Sequence, residues 1–190
     1  MKKYLIIIFL IFVVASAECN PVKLPQDYKV ALKERIGKES FDQVVYVSGD
    51  FYRVETTIES SNINCTNMAA IIDKKLGKAY GLLPKQNRYI ETTNTCQAHP
   101  SIIDFQWIEQ SNIDYHHIGS EKINGINATK YSFSYDGHDY FLWVNDKSLP
   151  LAIKSIDGVK ELIWGPFDQG VQSADLFKIP AGFQRMQMFE

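Results

Sequence analysis

The sequence predicts a mainly β (α+β) fold built on an antiparallel sheet. Apolar residues recur at every second position in short runs, and turn pairs such as Asp136-Gly137 and Asp157-Gly158 separate those runs. Most gaps between runs are also too short for the dozen or so residues that a parallel crossover needs.

Taken in order, Tyr28, Val30 and Leu32 alternate with Lys29, Ala31 and Lys33, and the run ends at a Gly37-Lys38 turn. A second run, Phe41 to Ser48, carries Val45 and Val47 and closes on Gly49-Asp50. Phe51 to Glu59 is rich in β-branched and aromatic residues, which suit a pleated, half-buried surface. Met68 to Asp73 and Lys78 to Leu83 form a pair joined around Leu76-Gly77. Lys130 to Tyr135 and Tyr140 to Val144 flank Asp136-Gly137, a strong hairpin signal. Leu151 to Ile156 and Val159 to Trp164 flank Asp157-Gly158 in the same way. One segment has a different period: over 101–110, Ile102, Phe105 and Ile108 fall three apart behind Pro100, which suits the first turn of a helix. The spacing predicts the main covering helix there.

Several strands are apolar on both faces. Tyr140-Phe141-Leu142-Trp143-Val144 has no polar position, and Leu162-Ile163-Trp164 is similar. A sheet with one wet face alternates. Both faces of these strands therefore need cover, or one faces a cavity.

The N-terminus carries Lys2 and Lys3, an apolar run from Leu5 to Val14, and then Ala15-Ser16-Ala17. These are the three parts of a secretory signal, and the apolar run is too short to span a bilayer. The expected division is a signal peptide over 1–17 and one β-rich domain over 18–190, exported to the periplasm with no membrane span after cleavage. Cleavage after Ala17 removes two of the 20 Lys and Arg residues and none of the 22 Asp and Glu, moving the net charge from −2 to −4. Without a basic stripe, nucleic acid is not an expected partner, because its affinity rests on phosphate neutralisation. Glu18 before Cys19, and Ser16 where a lipoprotein signal carries Leu, argue against a lipid anchor on Cys19.

Cysteines 19, 65 and 96 remain. In an oxidising compartment the expected pair is Cys65 with Cys96, closing a loop of about 30 residues. No catalytic constellation stands out. There is no GxSxG elbow, phosphate-binding Gly-rich loop or HExxH. His99, His116, His117 and His138 read as surface residues, and the adjacent His116 and His117 would point to opposite faces of a strand. Glu55 and Glu59 read as partners for cross-strand lysines rather than as a catalytic pair. Asn64-Cys65-Thr66 and Asn127-Ala128-Thr129 are glycosylation sequons, relevant only in a source that glycosylates them. No cofactor, no metal site and no enzymatic activity are expected.

A set of motifs in fixed order carries a family resemblance. Gly49-Asp50, Arg53 and Glu55 open it. Asp73, Gly77-Lys78, Tyr80, Leu83-Pro84 and Tyr89 follow, then Gly119, Glu121, Asn124-Gly125 and Lys130-Tyr131, then Trp143-Val144 and Leu149-Pro150-Leu151, and finally Leu176-Phe177, Ile179-Pro180 and Gly182-Phe183. Together they resemble exported LolA/LolB-like proteins, in particular a bacterial family of unknown function within that superfamily. The long N-terminal helix of the lipoprotein carrier has no counterpart in the sequence. The resemblance implies an antiparallel half-barrel with an apolar concave face, one or two covering helices, and binding of lipids or acyl chains in the concavity.

Side-chain alternation then nominates a lining. With Arg53 outward, Tyr52, Val54 and Ile58 turn inward; with Lys130, Ser132 and Ser134 outward, Tyr131 and Phe133 turn inward; with Lys154 outward, Leu151 and Ile153 turn inward. Trp143 fits either face. Alternation alone does not separate a ligand lining from ordinary core packing. Two functional classes follow: a binding module for a lipid or other hydrophobic ligand, and an envelope module that binds another protein. A deep apolar cavity favours the first; a filled core with an exposed apolar patch favours the second.

Overall fold

The computed structural model describes residues 20–59, 67–93, 108 and 112–186, with backbone alone at Ile58, Glu59 and Asn67. Two meanders form one sheet. The first runs through β1 (Asp27–Ile36), β2 (Glu39–Ser48), β3 (Phe51–Glu59), β4 (Asn67–Asp73), β5 (Lys78–Leu83) and β6 (Arg88–Thr92). The second runs through β7 (His116–Ile123), β8 (Ile126–Tyr135), β9 (His138–Val144), β10 (Pro150–Ser155) and β11 (Lys160–Trp164). They join where β11 pairs antiparallel with β1, from Leu32 opposite Trp164 to Ile36 opposite Lys160. The first described strand, β1, is therefore central, and the path across the sheet is β6-β5-β4-β3-β2-β1-β11-β10-β9-β8-β7. Short strands β12 (Asp168–Gln169) and β13 (Gln184–Arg185) extend it, β12 along β1 and β13 along β6.

The expected antiparallel pairing holds throughout these meanders; β13 beside β6 is parallel. Turn chemistry explains the hairpins. Asp136 and Gly137 both take positive φ (49° and 74°), as do Asn124 and Gly125 (50° and 80°), which is the backbone of a two-residue turn matched to strand twist. Two 3-10 turns, Pro84–Gln86 and Ala174–Phe177, are described in full, Ile108 has 3-10 backbone as well, and there is no α-helix among the described residues. The helix expected over 101–110 lies outside the described residues except for Ile108. So do the signal segment, His99 and all three cysteines.

The alternation gives the sheet two faces. The inner face holds one continuous cluster that includes Tyr28, Val30 and Leu32 of β1, Val45 and Val47 of β2, Phe133 of β8, Tyr140 and Leu142 of β9 and Trp164 of β11. Parts of the β6–β7 connection cover it. Ile108 and Tyr115 are 0% exposed, and the Tyr115 hydroxyl donates to the Ile108 carbonyl at 2.9 Å. Burial pushes the Tyr115 phenol well above its ordinary range. Fully burying a side chain of Leu or Phe size contributes about 1.5–3 kcal/mol, so this cluster dominates the stability of the sheet.

The outer face carries two separate patches. Ala69, Ile71 and Leu82 lie under Phe177, Ile179 and Phe183 of the C-terminal segment. Arg53 Nη1 ties that segment down by donating to the Leu176 carbonyl at 2.9 Å. The other patch, Ala128, Trp143 and Ala152, packs with Phe141, Leu151 and Ile163. The all-apolar β9 is thus explained: Tyr140, Leu142 and Val144 serve the inner cluster, and Phe141 and Trp143 the outer patch.

Candidate functional site

The nominated residues divide between the faces. Tyr52, Val54, Phe133 and Ile153 are buried in the inner cluster, and Tyr131 packs against it. Phe133 stacks on Tyr140 with ring centroids 5.3 Å apart. Tyr131 meets Tyr115 edge-on at 6.4 Å. The backbone of Ile58 lies in β3; its side chain is outside the description. Leu151 departs from the expected face. The pairing of β10 with β9 slips between Pro150 and Ala152, so one extra residue is inserted at Leu151. Ile153 keeps the inner face, while Leu151 packs with Ala152 and Trp143 on the outer one. Cys65 and Cys96 lie outside the described residues.

The inner face is largely filled. Recesses remain at its two ends, about 260 Å³ beside Tyr135, Tyr140, Ile153 and Leu162, and about 210 Å³ beside Tyr28, Val47 and Tyr52. A larger space, about 920 Å³, is an open groove on the outer face. This volume lies within the range typical of small-molecule sites.

Strand register builds the groove. Ala31 of β1 lies opposite Val44 of β2, and Lys33 is flanked by Asp42 on one side and Ile163 of β11 on the other. These side chains, with Leu151 from the bulge, give an apolar floor edged by charge. Asn124 and Ile126 from the β7–β8 turn, Asn145, Asp146, Lys147 and Leu149 from the β9–β10 turn, and Gly165 to Phe167 after β11 supply the walls. The Gly165 amide donates to the Ala31 carbonyl at 2.8 Å, and a Cβ there would lie 3.3 Å from that oxygen, so glycine allows this close approach. Sequence reasoning passed over the groove because, on their face of the strand, Ala31 falls between Lys29 and Lys33 and Val44 between Asp42 and Tyr46, so both look like ordinary outward positions. The Asn124-Gly125 pair was a signal for the hairpin that forms one wall.

Charge around the sheet is mostly paired. Lys33 Nζ lies 3.7 Å from Asp42, and Arg53 Nε 2.8 Å from Glu55. Glu55 therefore finds an arginine on its own strand rather than a cross-strand lysine. On the second patch, the Trp143 indole N–H donates to Glu121 at 2.6 Å, and Lys130 Nζ sits 3.2 Å from the same carboxylate and 4.2 Å over the Phe141 ring. The Trp143 hydrogen bond, then Lys130, hold the Glu121 carboxyl below its ordinary value. Lys154 and then Arg35 do the same for Glu161.

His116 and His117 occupy β7 opposite Ser132 and Tyr131, on different faces as the alternation requires. His117 meets the Tyr131 ring at 5.8 Å, and His116 lies 3.6 Å from Asp114. Among the described residues no group of three His, Cys, Asp or Glu could hold a metal ion. No helix among them is long and apolar enough to cross a membrane.

No family model and no curated protein matches the chain. Solved structures do. An uncharacterized conserved protein from Thermus thermophilus is 16% identical over 86% of this chain and 92% of that one, with a TM-score of 0.61. The chain is also similar to the MucA/MucB complex structure of Pseudomonas aeruginosa (14% identity, 85% of this chain and 58% of that one, TM-score 0.45). A third is a putative outer membrane lipoprotein-sorting protein domain from Vibrio parahaemolyticus (14% identity, 82% and 91%, TM-score 0.38). The shared fold rests on the Thermus protein, and at these identities the likeness concerns the fold alone.

Proposed function

We propose that the chain is an exported, non-catalytic binding module that holds a lipid or other hydrophobic ligand in the outer-face groove. The observation that carries this reading is the groove itself, about 920 Å³ over an apolar floor of Ala31, Val44, Leu151 and Ile163. Apolar burial supplies the driving force, about 25 cal/mol for each Å² removed from water, and no covalent step is required. The N-terminal signal pattern supports a periplasmic setting.

The test is native mass spectrometry with lipid extraction on protein purified from its own envelope fraction. A stoichiometric hydrophobic adduct, lost in Val44→Asp, is the expected result. A clean apo mass with no lipid in the extract overturns the reading.

One observation favours the second reading, an envelope module that binds protein. Strand β7 ends the sheet path, and its Ile118 is 54% exposed. An edge strand offers backbone groups to an added strand. A clean apo mass together with a co-purifying protein, lost when Ile118 becomes Lys, supports it.

A further inference from the structure

We infer that the groove selects amphiphiles whose heads carry no net charge; this rests on the reading of the groove as a ligand site. Five charged residues line it: Lys33, Lys147, Asp42, Glu55 and Asp146. Three of them are already engaged. Lys33 lies 3.7 Å from Asp42, and Glu55 is held by Arg53 at 2.8 Å. The remaining two, Asp146 and Lys147, are neighbours of opposite sign in the β9–β10 turn. Two cations therefore stand against three anions, with most of the charge neutralised locally.

Selection follows from this balance. An anionic head at the rim meets no surplus cation and leaves bulk water without recovering a strong partner. A cationic head meets two carboxylates that Lys33 and Arg53 already occupy, and a third, Asp146, followed directly in the turn by the Lys147 cation. An uncharged or zwitterionic head avoids both costs and finds hydrogen-bonding groups in the Asn124 amide and the Asn145 Nδ2 group, the Asn145 Oδ1 already accepting from the Lys147 and Leu149 amides, while its hydrocarbon chain covers the floor. Binding by apolar contact without net charge attraction is also only weakly screened by salt.

The experiment is calorimetric titration of the intact folded protein, below micelle formation, with four twelve-carbon probes. These are dodecyl maltoside (uncharged), dodecylphosphocholine (zwitterionic), dodecanoate (anionic) and dodecyltrimethylammonium (cationic). Circular dichroism monitors the fold throughout. The inference expects the first two to bind with similar affinity, and each about tenfold more tightly than either charged probe, a difference of about 1.4 kcal/mol. Raising the salt should leave their affinity nearly unchanged. The double variant Asp42→Lys with Asp146→Lys should move the preference to dodecanoate.

Tightest binding of dodecanoate or dodecyltrimethylammonium by the natural protein overturns the inference while leaving the groove as a ligand site. If no probe binds, or if binding survives Ala31→Glu on the exposed floor, the site reading fails and the inference with it. Ala31→Glu is chosen because Ala31 is exposed, so loss of binding with an unchanged circular dichroism spectrum reports on the groove rather than on folding.

Discussion

The two faces of the sheet use the same kinds of residue differently. On the inner face, apolar side chains from β1, β2, β3, β8, β9, β10 and β11 meet one another, and Ile108, Ile113 and Tyr115 join them. On the outer face they form two patches, one under the C-terminal segment and one beside an open groove. A filled face specifies the fold, because each side chain is held by its neighbours. A partly filled face leaves surface for something else to cover. Substitutions on the inner face should therefore be read in stability, and those around the groove in binding.

The largest expected effect comes from opening the filled face. Phe133→Ala removes a ring that stacks on Tyr140 and packs at a tilt against Tyr115. It should cost about 3–5 kcal/mol in urea unfolding, the usual range for a buried Phe. A loss under about 1 kcal/mol would mean that the two faces are not so different.

The covered outer patch should respond less. Phe177→Ala with Phe183→Ala uncovers Ala69, Ile71 and Leu82. Both rings are only partly buried, so the loss should be about 2 kcal/mol, accompanied by binding of a hydrophobic dye. Dye binding unchanged from the natural protein would show that this segment is not a cover.

Smaller still is a change expected to stabilise. Thr56 is buried on the inner face, and its hydroxyl has no hydrogen-bond partner among the described residues. Thr56→Val should raise stability by about 1 kcal/mol, since an unpaired buried hydroxyl is costly. A destabilised variant would point to a partner for that hydroxyl.

The last prediction concerns acid. The folded state lowers the Glu121 pKa from 4.5, chiefly through the Trp143 hydrogen bond. Its stabilising contribution is thus fully present above 4.5 and is lost as pH falls through the lower folded value. Trp143 emission should change over that acid range in the natural protein and not in Glu121→Gln. An identical acid transition in the variant would remove Glu121 as its cause.

Much of this arrangement was legible in the chain. The turn pairs and the period of two located nine strands, and the alternation around Arg53 and Lys130 set the faces of Val54 and Phe133 correctly. Leu151 was misplaced because a bulge changes the count without leaving a mark in composition. β6 and β7 were passed over. Arg88 to Thr92 is too short to show a period, and His116 to Ile123 is an edge strand with few buried positions to declare one. The groove was illegible for a different reason. It arises where strands distant in sequence come side by side, and Lys33 gives no sign that Ile163 will be its neighbour.

The central place of β1 has a kinetic consequence. Arg35 and Glu161, joined across β1 and β11, are 126 residues apart in the chain. β2 can pair with one side of β1 through a local hairpin, but the other side must wait for the second meander to form. Closing so long a loop costs entropy before the pairing returns anything, and sheets dominated by distant contacts fold slowly. Until β11 docks, β1 presents a bare edge that another unfinished chain can claim. Because a chain is synthesised N-terminus first, the strand that ends at the middle of the sheet is among the first to emerge and among the last to be closed on both sides.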